Sequence, residues 1–243
     1  MNNLFDYTSS SFKLALFAAL IAALAVLGHR LGVTGFQPAL LGLAVGAVIG
    51  LLAIVFGLIG TMRAIKAKKP EIARTTAGSA LGFLVVMPVL ATVVAGAGVP
   101  LMHDITTDLE HPPEFVAIKA LRTAADNSLD RLEPQNLAAL QEEGYPDLGS
   151  LLINRSYAQV FEQIVALVKK RGWEVIVISA EDGRIEATDT TRIMGFKDDV
   201  VIRVRAMGES TRIDMRSVSR VGKGDLGTNA ARIRNFLADL RKP

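Results

Sequence analysis

Three long stretches without a charged side chain occupy most of the first hundred residues, and they constrain the fold more than any other feature. They span residues 14–28, 31–62 and 75–102 and consist mainly of Leu, Ala, Val, Ile and Gly. A helix needs about 20 consecutive apolar residues to cross the hydrocarbon core of a bilayer. The sequence therefore predicts a membrane α-helical anchor of three transmembrane helices, near residues 11–29, 38–61 and 77–100.

The first stretch is the shortest, but its flanks can extend it. Phe12 and a snorkelling Lys13 stand at one end, and His29 and Arg30 can lie among the headgroups at the other. A cleavable signal peptide is the alternative. It is disfavoured because little positive charge precedes the stretch and no small-residue cleavage motif follows it.

Charge is distributed unevenly along the chain. Residues 1–100 contain seven Lys and Arg against two Asp and Glu, whereas residues 101–243 contain 20 and 22. Five of the seven cations lie between the second and third apolar stretches: Arg63, Lys66, Lys68, Lys69 and Arg74. Because cationic loops stay in the cytoplasm, we expect a multi-pass protein of the inner (plasma) membrane with a cytoplasmic N-terminus and a periplasmic, or otherwise extracytoplasmic, C-terminal domain.

Small residues recur within the apolar stretches, whose interiors contain no ionisable side chain. A transporter or channel is disfavoured because an ion or proton route normally carries such groups. Gly42, Gly46 and Gly50 form a row on the second helix that allows helix backbones to approach closely. Two uses of this row stay open: packing inside the chain's own bundle, or contact with a second copy or another membrane protein.

The remainder of the chain divides into a lead-in, 101–152, and a core, 153–243. Prolines favour extended backbone around 103–113, and helices are expected over about 114–127 and 134–143. Ser156 can cap a helix that ends at Gly172. Turn signals then separate four strands, before a last helix over about 226–241. The strands are expected over 173–180, 185–194, 198–207 and 211–221. This order predicts an α+β domain with a four-stranded antiparallel sheet and two helices on one face.

Four segments of this region resemble a known family. They are LMHDITTDLEHPPEF (101–115), YPDL (145–148), IEATDTTRIMGFKDDVVIRV (185–204) and IDMRSVSRVGKGDLGTNAARI (213–233). In this order they are similar to the bacterial and plastid domain-of-unknown-function family fourteen-ninety-nine, over about residues 100–241. The three apolar helices lie outside the resemblance and look like an added anchor. The resemblance implies a bacterial envelope setting and no particular activity.

A glycine motif, Gly222-x-Gly224-x-x-Gly227, follows a predicted strand and opens a predicted helix. A dinucleotide-binding unit would need a parallel βαβ context, which a hairpin strand does not supply, so no cofactor is expected. The backbone amides of this turn, with Arg220 and Lys223 beside them, could still hold a phosphate or carboxylate. The alternative is a tight turn whose helix is capped by Asp225 or Thr228.

Alternation along the strands places a set of polar side chains on the sheet face opposite the helices. This face is rich in arginine, whose planar fork suits bidentate capture of carboxylate or phosphate. The candidate ligand-binding arginines are Arg203, Arg205, Arg216 and Arg220. Three other readings stay open: a simply solvated face, cross-strand ion pairs, or coverage of the face by the lead-in.

Metal binding and catalysis have little support in the sequence. His103, Asp104, Asp108 and His111 bring metal-ligand side chains together, but their spacing matches no established signature. The chain has no Cys. Asp198 and Asp199 could be a carboxylate pair, but neighbours on a strand point to opposite faces.

The leading interpretation is a membrane-anchored, non-enzymatic binding or scaffolding protein of the bacterial envelope that recognises an anionic ligand or partner. The alternatives are an envelope hydrolase or transferase acting on an anionic lipid or glycan, and a structural subunit of a larger membrane complex. The expected partners are the lipid bilayer and an envelope protein or a second copy, and not nucleic acid. If the arginines bind a ligand, replacing Arg216 and Arg220 with Ala should abolish capture without unfolding the domain.

Overall fold

The computed structural model describes residues 7–68, 70–131 and 136–242. The chain separates into two compact units at the Ala95–Gly96 boundary. The first unit contains three long helices, and the second contains an antiparallel sheet with shorter helices.

The three helices of the first unit are α1 (Tyr7–Arg30), α2 (Phe36–Ala67) and α3 (Ile72–Gly96). Each is long and apolar enough to cross a membrane, which confirms the prediction of three such helices and marks the chain as a membrane-associated protein. Large apolar side chains cover their outer surfaces, as expected of helices that face lipid. Pro88 lies inside α3, and the helix continues beyond it.

The glycine row of α2 lies at helix contacts within this unit. A methyl group at Gly42 would lie 2.9 Å from the Cβ of Ala25, and one at Gly46 would lie 3.2 Å from the carbonyl oxygen of Ala18. The third member, Gly50, lies against Gly82 of α3. Small residues thus allow close helix approach inside the chain's own bundle, which is the first of the two uses left open by the sequence.

Hydroxyl groups add polar contacts between the same helices. Ser11 Oγ donates to the carbonyl oxygen of Ala53 at 2.9 Å, and Thr61 Oγ1 donates to Thr75 Oγ1 at 2.8 Å. Ser11 and Thr75 are completely buried. Hydrogen bonds across apolar helices supplement van der Waals packing, because lipid offers these groups no other partner.

The second unit is built on a six-stranded antiparallel sheet. Its strands are β1 (Asp104–Thr106), β2 (Leu151–Ile153), β3 (Glu174–Ser179), β4 (Arg184–Thr190), β5 (Lys197–Met207) and β6 (Ser210–Ser219). The helices are α4 (Leu137–Gly144), α5 (Tyr157–Lys170) and α6 (Thr228–Leu240). Strands β3 to β6 form a meander, and β1 and β2 both pair with the outer edge of β6.

The prediction of a four-stranded sheet is therefore wrong by two strands. β1 and β2 are three residues long and come from the lead-in, so they are too short to show an alternating pattern. They pair with a ten-residue strand that would otherwise present an open edge. Gln141 closes the outer side of β1, because its amide accepts from the Thr106 N–H at 3.0 Å and donates to the Thr106 carbonyl oxygen at 2.5 Å.

The predicted helix over 114–127 is also wrong. The structure has a single 3₁₀ turn there, Ile118–Leu121. Glu186 of β4 accepts hydrogen bonds from the backbone N–H groups of Val116, Ala117 and Ile118, so a distant strand caps the turn. The second predicted lead-in helix forms as α4, but residues 132–135, which include its expected start, lie outside the described residues.

The sheet has two covered faces. On the helix face, α5 and α6 pack on side chains such as Val200, Ile202 and Met215, and Trp173 stacks on Phe236 with ring centroids 5.4 Å apart. Ser156 is the N-cap of α5, as predicted, and it forms a capping box with Gln159. On the opposite face, which we call the lead-in face, a smaller apolar cluster contains Phe115, Ile118, Val201 and Val218.

The two hairpin glycines should differ in their tolerance of a side chain. Gly183 and Gly208 both have positive φ, so alanine should cost each about 1 kcal/mol or more in backbone strain. A methyl group at Gly183 would also overlap the carbonyl oxygen of Val204, whereas one at Gly208 would meet nothing within 4 Å. We expect Gly183→Ala to destabilise the sheet domain clearly more than Gly208→Ala, measured by unfolding of the full chain followed by fluorescence of the only tryptophan, Trp173. Equal effects would contradict this packing.

Candidate functional site

Arginines and aspartates on the lead-in face form three clusters, each centred on buried or largely buried carboxylates. The Asp104 cluster contains Arg131 and Arg216, and the Asp199 cluster contains Arg122 and Arg220. The third, which we call the Asp108–Asp214 cluster, contains Arg203, Arg205 and Arg212. All four arginines predicted to bind a ligand belong to these clusters.

The Asp104 cluster joins the lead-in to the sheet. Arg216 donates from Nε to Asp104 Oδ1 at 3.0 Å and from Nη2 to Oδ2 at 2.8 Å, while Arg131 Nη1 donates to Oδ1 at 2.7 Å. Arg216 also donates to the Leu129 carbonyl oxygen at 2.5 Å, and its guanidinium lies 5.4 Å from the centroid of the Phe115 ring. Arg216 is only 5% exposed. Its donors are therefore engaged inside the protein.

The Asp199 cluster is similarly closed. Arg220 binds the Asp199 carboxylate in a bidentate manner, from Nε to Oδ2 at 3.0 Å and from Nη2 to Oδ1 at 2.9 Å. Arg122 Nε also donates to Oδ2, at 2.8 Å. Thr188 supplies a further hydrogen bond at 2.7 Å. Burial lowers the pKa of Arg220, but the hydrogen bond and charge of Asp199 outweigh it and raise the pKa above its ordinary value.

The Asp108–Asp214 cluster is the open one. Arg203 Nη2 donates to Asp108 at 2.9 Å and to Asp214 at 3.0 Å, and Arg212 spans the same two carboxylates. Arg205 Nη2 donates to Asp214 at 2.8 Å. The Asp214 side chain is fully buried, whereas the side chains of Arg203, Arg205 and Arg212 are 23%, 43% and 33% exposed. Buried carboxylates thus hold a layer of arginines whose outer parts contact water.

Asp214 stays ionised in this setting. Burial by itself raises its pKa, but hydrogen bonds from Ser150 and Arg203 and the charges of Arg203 and Arg212 outweigh burial and place the pKa below its ordinary value. Ser150 Oγ donates to Asp214 Oδ1 at 2.5 Å and accepts from Arg212 Nη2 at 2.8 Å. The carboxylate therefore acts as a fixed anion that orients its neighbours.

A cleft of about 480 Å³ adjoins this cluster. Arg203 belongs to both the cluster and the cleft wall. The other lining residues are Glu110, His111, Pro112, Pro113, Glu114, Val116, Asp182, Arg184 and Val201. The cleft thus combines two prolines and two valines with carboxylates and guanidinium groups, and most of its lining residues have polar or charged side chains.

The glycine turn is arranged differently from the predicted anion site. Asp225 accepts hydrogen bonds from the backbone N–H groups of Gly227 at 3.0 Å and Asn229 at 2.6 Å, so the chain's own carboxylate occupies the start of α6. Gly222 and Gly227 have positive φ, whereas Gly224 does not. Arg220 points to Asp199 on the lead-in face, and Lys223 is exposed at the turn. The structure does not bring Arg220, Lys223 and the α6 amides onto one acceptor.

The residues considered for a metal are also separated by their contacts. Asp104 binds Arg131 and Arg216, whereas Asp108 binds Arg203 and Arg212. Within residues 7–68, 70–131 and 136–242, no group of three or more His, Asp or Glu side chains is placed to hold a metal ion.

The adjacent aspartates Asp198 and Asp199 point to opposite faces, as predicted. Asp198 binds Arg232 at 2.5 Å on the helix face, where Arg232 also reaches Asp189 and Ser217. Asp199 belongs to the lead-in face. The pair cannot address one substrate atom, and Arg232 is a buried clamp between α6 and the sheet.

Several cluster members were missed by sequence reasoning. Arg212 is four residues before Arg216 on the same strand, so alternation along β6 places both side chains on one face and could have identified Arg212. Arg122, Arg131 and Ser150 come from irregular segments, and nothing periodic marks them. Their positions depend on how the lead-in crosses the sheet.

The fold and the site define a membrane-associated protein with three apolar helices and an antiparallel α+β domain whose lead-in face carries an arginine–carboxylate array. A family model described as "Protein of unknown function (DUF1499)" matches residues 104–240, more than half of the chain. The chain therefore belongs to this family, as the resemblance of its motifs indicated. A search of curated proteins gave no match.

The burial of Arg216 reverses the effect expected of its replacement. Arg216→Ala would leave Asp104 with one ionic partner, Arg131, in a site that is 3% exposed. Removing a sole partner from a buried charge typically costs about 3–5 kcal/mol, which is the upper bound here. Arg205→Ala is the matched control, because its partly exposed pair should contribute about 1 kcal/mol or less. In denaturant unfolding followed by Trp173 fluorescence, we expect the full-length Arg216→Ala protein to unfold at a clearly lower denaturant concentration than the unmodified protein. Arg205→Ala should unfold at nearly the same concentration as the unmodified protein. Similar stabilities would contradict a structural role for Arg216.

Proposed function

We propose that this protein is a membrane-anchored, non-enzymatic recognition protein of the bacterial envelope, and that the Asp108–Asp214 cluster binds the anionic group of its ligand. The ligand class is a phosphate- or carboxylate-bearing molecule with hydroxyl groups, such as a lipid headgroup or a glycan. The observation that carries the proposal is the combination of net positive charge, partial exposure and an adjoining cleft at this cluster.

Taken without the cleft, which adds the carboxylates of Glu110, Glu114 and Asp182 and the guanidinium of Arg184, the charge balance of the cluster favours an anion. Three guanidinium groups, those of Arg203, Arg205 and Arg212, share two carboxylates, those of Asp108 and Asp214. One positive charge is therefore not neutralised within the cluster. The buried carboxylates already hold these guanidinium donors in place. An anion would therefore bind here without most of the free-energy cost of ordering the arginine side chains.

Arg205 supplies the free hydrogen-bonding capacity. An arginine has five N–H donors in a planar fork, and Arg205 uses only Nη2 toward Asp214. In the described part of the chain its Nε and Nη1 groups have no protein acceptor, and its side chain is the most exposed of the three. The free Nε–H and Nη1–H groups point in different directions, and each can donate a hydrogen bond to a phosphate or carboxylate oxygen.

The cleft suits the body of such a ligand. Pro112 and Pro113 offer apolar ring faces, while Glu110, Glu114 and Asp182 offer carboxylate acceptors for hydroxyl groups. Arg203 stands where the cleft meets the cluster. A molecule with one anionic group and several hydroxyls matches this arrangement better than an extended polyanion, which the carboxylates would repel.

The hydrolase or transferase alternative is favoured by one contact, the Ser150 hydroxyl held between Asp214 and Arg212. A general base works best when its pKa lies near the working pH, and the pKa of Asp214 lies below its ordinary value. Asp214 is therefore suited to orienting Ser150 and the arginines rather than to accepting a proton. The structural-subunit alternative relied on the glycine row of α2, and that row packs within the first unit.

The proposed location follows from charge asymmetry around the helices. The cationic segment between α2 and α3 supports a cytoplasmic position for that segment. α3 then leads outward, and the sheet domain is extracytoplasmic, which in a Gram-negative cell means periplasmic. A ligand at the cluster would thus be an envelope component.

Ligand binding can be tested on the full chain in detergent or nanodiscs. We expect glycerol 3-phosphate or a hexose phosphate at one hundred times its Kd to stabilise the fold by about 2.7 kcal/mol, which raises the Tm by about 5 °C or more for a domain of this size. Arg205→Ala should lose this shift. Arg234→Ala is the control, because Arg234 of α6 is a similarly exposed arginine that pairs with Asp147 of the lead-in. No shift with either phosphate, or equal shifts in both variants, would contradict the site.

The orientation can be tested by thiol labelling, because the chain has no cysteine of its own. We expect an impermeant maleimide to label Met207→Cys, at an exposed hairpin, in cells whose outer membrane is permeabilised. Lys66→Cys, in the exposed last turn of α2, should react only after the inner membrane is also opened. The opposite pattern would reverse the proposed topology.

A further inference from the structure

Two leucines of the second unit are exposed close to the point where α3 ends. Leu101 is 70% exposed and Leu226 is 45% exposed. α3 ends at Gly96, and only four residues separate Gly96 from Leu101. Scattered surface leucines need no explanation, so the conformation and contacts of this pair decide whether it has a role.

The backbone conformation at Leu226 is unusual. Its φ is +55°, and among the described non-glycine residues only Leu226 and Lys68 have positive φ. Leucine is disfavoured in this region because its Cβ crowds the backbone, and Gly224 and Gly227 lie on either side of it. A glycine at 226 would avoid this strain, and an exposed leucine gains little from burial. Burial inside the domain therefore offsets little of this strain, and a contact of the exposed part of the side chain with a surface outside the domain would offset more.

The contacts of the 221–227 loop place it beside the segment that follows α3. A Cβ added to Gly96 would overlap the Leu226 side chain, and the Leu101 side chain lies 2.6 Å from where a Cβ on Gly224 would stand. The Asp225 N–H donates to the Met102 carbonyl oxygen at 3.1 Å. All these contacts lie within residues 96–243. The loop is thus tied to the residues that leave the apolar helix.

The occupant of this surface follows from chain connectivity. Gly96 is the last residue of α3, a 25-residue helix long and apolar enough to cross a membrane, and a helix that spans a hydrocarbon core about 30 Å thick ends near the boundary between the acyl chains and the headgroups. A side chain in contact with Gly96 lies at the same boundary. Leu101 and Leu226 can then bury their side chains among the acyl chains, while the exposed Lys223 reaches lipid phosphates.

We propose that residues 221–227, together with 99–101, form an interfacial anchor that inserts Leu226 and Leu101 into the surface of the same bilayer that α3 enters. In this arrangement the glycines of the motif shape the loop that presents Leu226, and Asp225 holds it by capping α6. The motif therefore serves a lipid surface rather than a nucleotide.

The test uses the full chain, which has no cysteine, in phosphatidylcholine–phosphatidylglycerol vesicles. Leu226→Cys is labelled with an environment-sensitive fluorophore, with Leu101→Cys as a second site free of the positive-φ constraint. Met207→Cys is the control, because Met207, at the β5–β6 hairpin, is an apolar residue whose exposure of 55% lies between those of Leu226 and Leu101. Trp173 fluorescence verifies that each labelled protein is folded.

We expect blue-shifted emission at 226 and 101, with quenching by headgroup-proximal nitroxide lipids several-fold stronger than at 207. Lys223→Ala should weaken the quenching at 226 more in vesicles rich in phosphatidylglycerol than in pure phosphatidylcholine. Equal quenching at 226 and 207 would overturn the proposal. Blue-shifted emission at 226 without lipid quenching would also overturn it, because the leucine would then contact protein.

Discussion

The buried ion pair between Asp104 and Arg216 is the interaction on which the rest of the sheet domain depends. Asp104 begins β1, and Arg216 lies opposite Thr106 on β6, so the pair fastens the first strand of the domain to its longest edge. Arg216 also binds the Leu129 carbonyl oxygen and lies against Phe115. Through these contacts one side chain holds the lead-in over the sheet, and the lead-in in turn supplies Asp108 and one wall of the cleft.

Covering a polar sheet face in this way requires every buried charge to have a partner, because an isolated charge in the interior would be strongly destabilising. The three clusters meet this requirement to different degrees. Those of Asp104 and Asp199 lie under the lead-in and are closed, whereas the Asp108–Asp214 cluster lies where coverage ends. Arginine–carboxylate pairs are thus structural where the lead-in covers the face. At the margin of the covered area, the arginines of the Asp108–Asp214 cluster are exposed enough to contact a ligand.

The fold could be predicted where a periodic pattern extends over many residues, and the prediction was wrong where the element is too short to show one. Strands β3 to β6 and helices α5 and α6 show clear alternation or helical spacing, and Ser156 marks a helix start that the structure retains. β1 and β2 have three residues each, too few for a pattern. The expected helix over 114–127 was replaced because Glu186, about 70 residues away, takes its N–H groups. Long-range contacts of this kind leave no local signal.

The sequence by itself determined the three apolar helices, the family, the order of the main strands and the face on which each strand arginine lies, because all of these follow from local composition, motifs and alternation. Only the tertiary structure decided what those arginines do. Whether a guanidinium is enclosed with a carboxylate or left partly free depends on which irregular segment crosses above it. The path of the lead-in, set by Asp104, Glu186 and Arg122, closed the surroundings of Arg216 and Arg220 and left Arg205 at the surface.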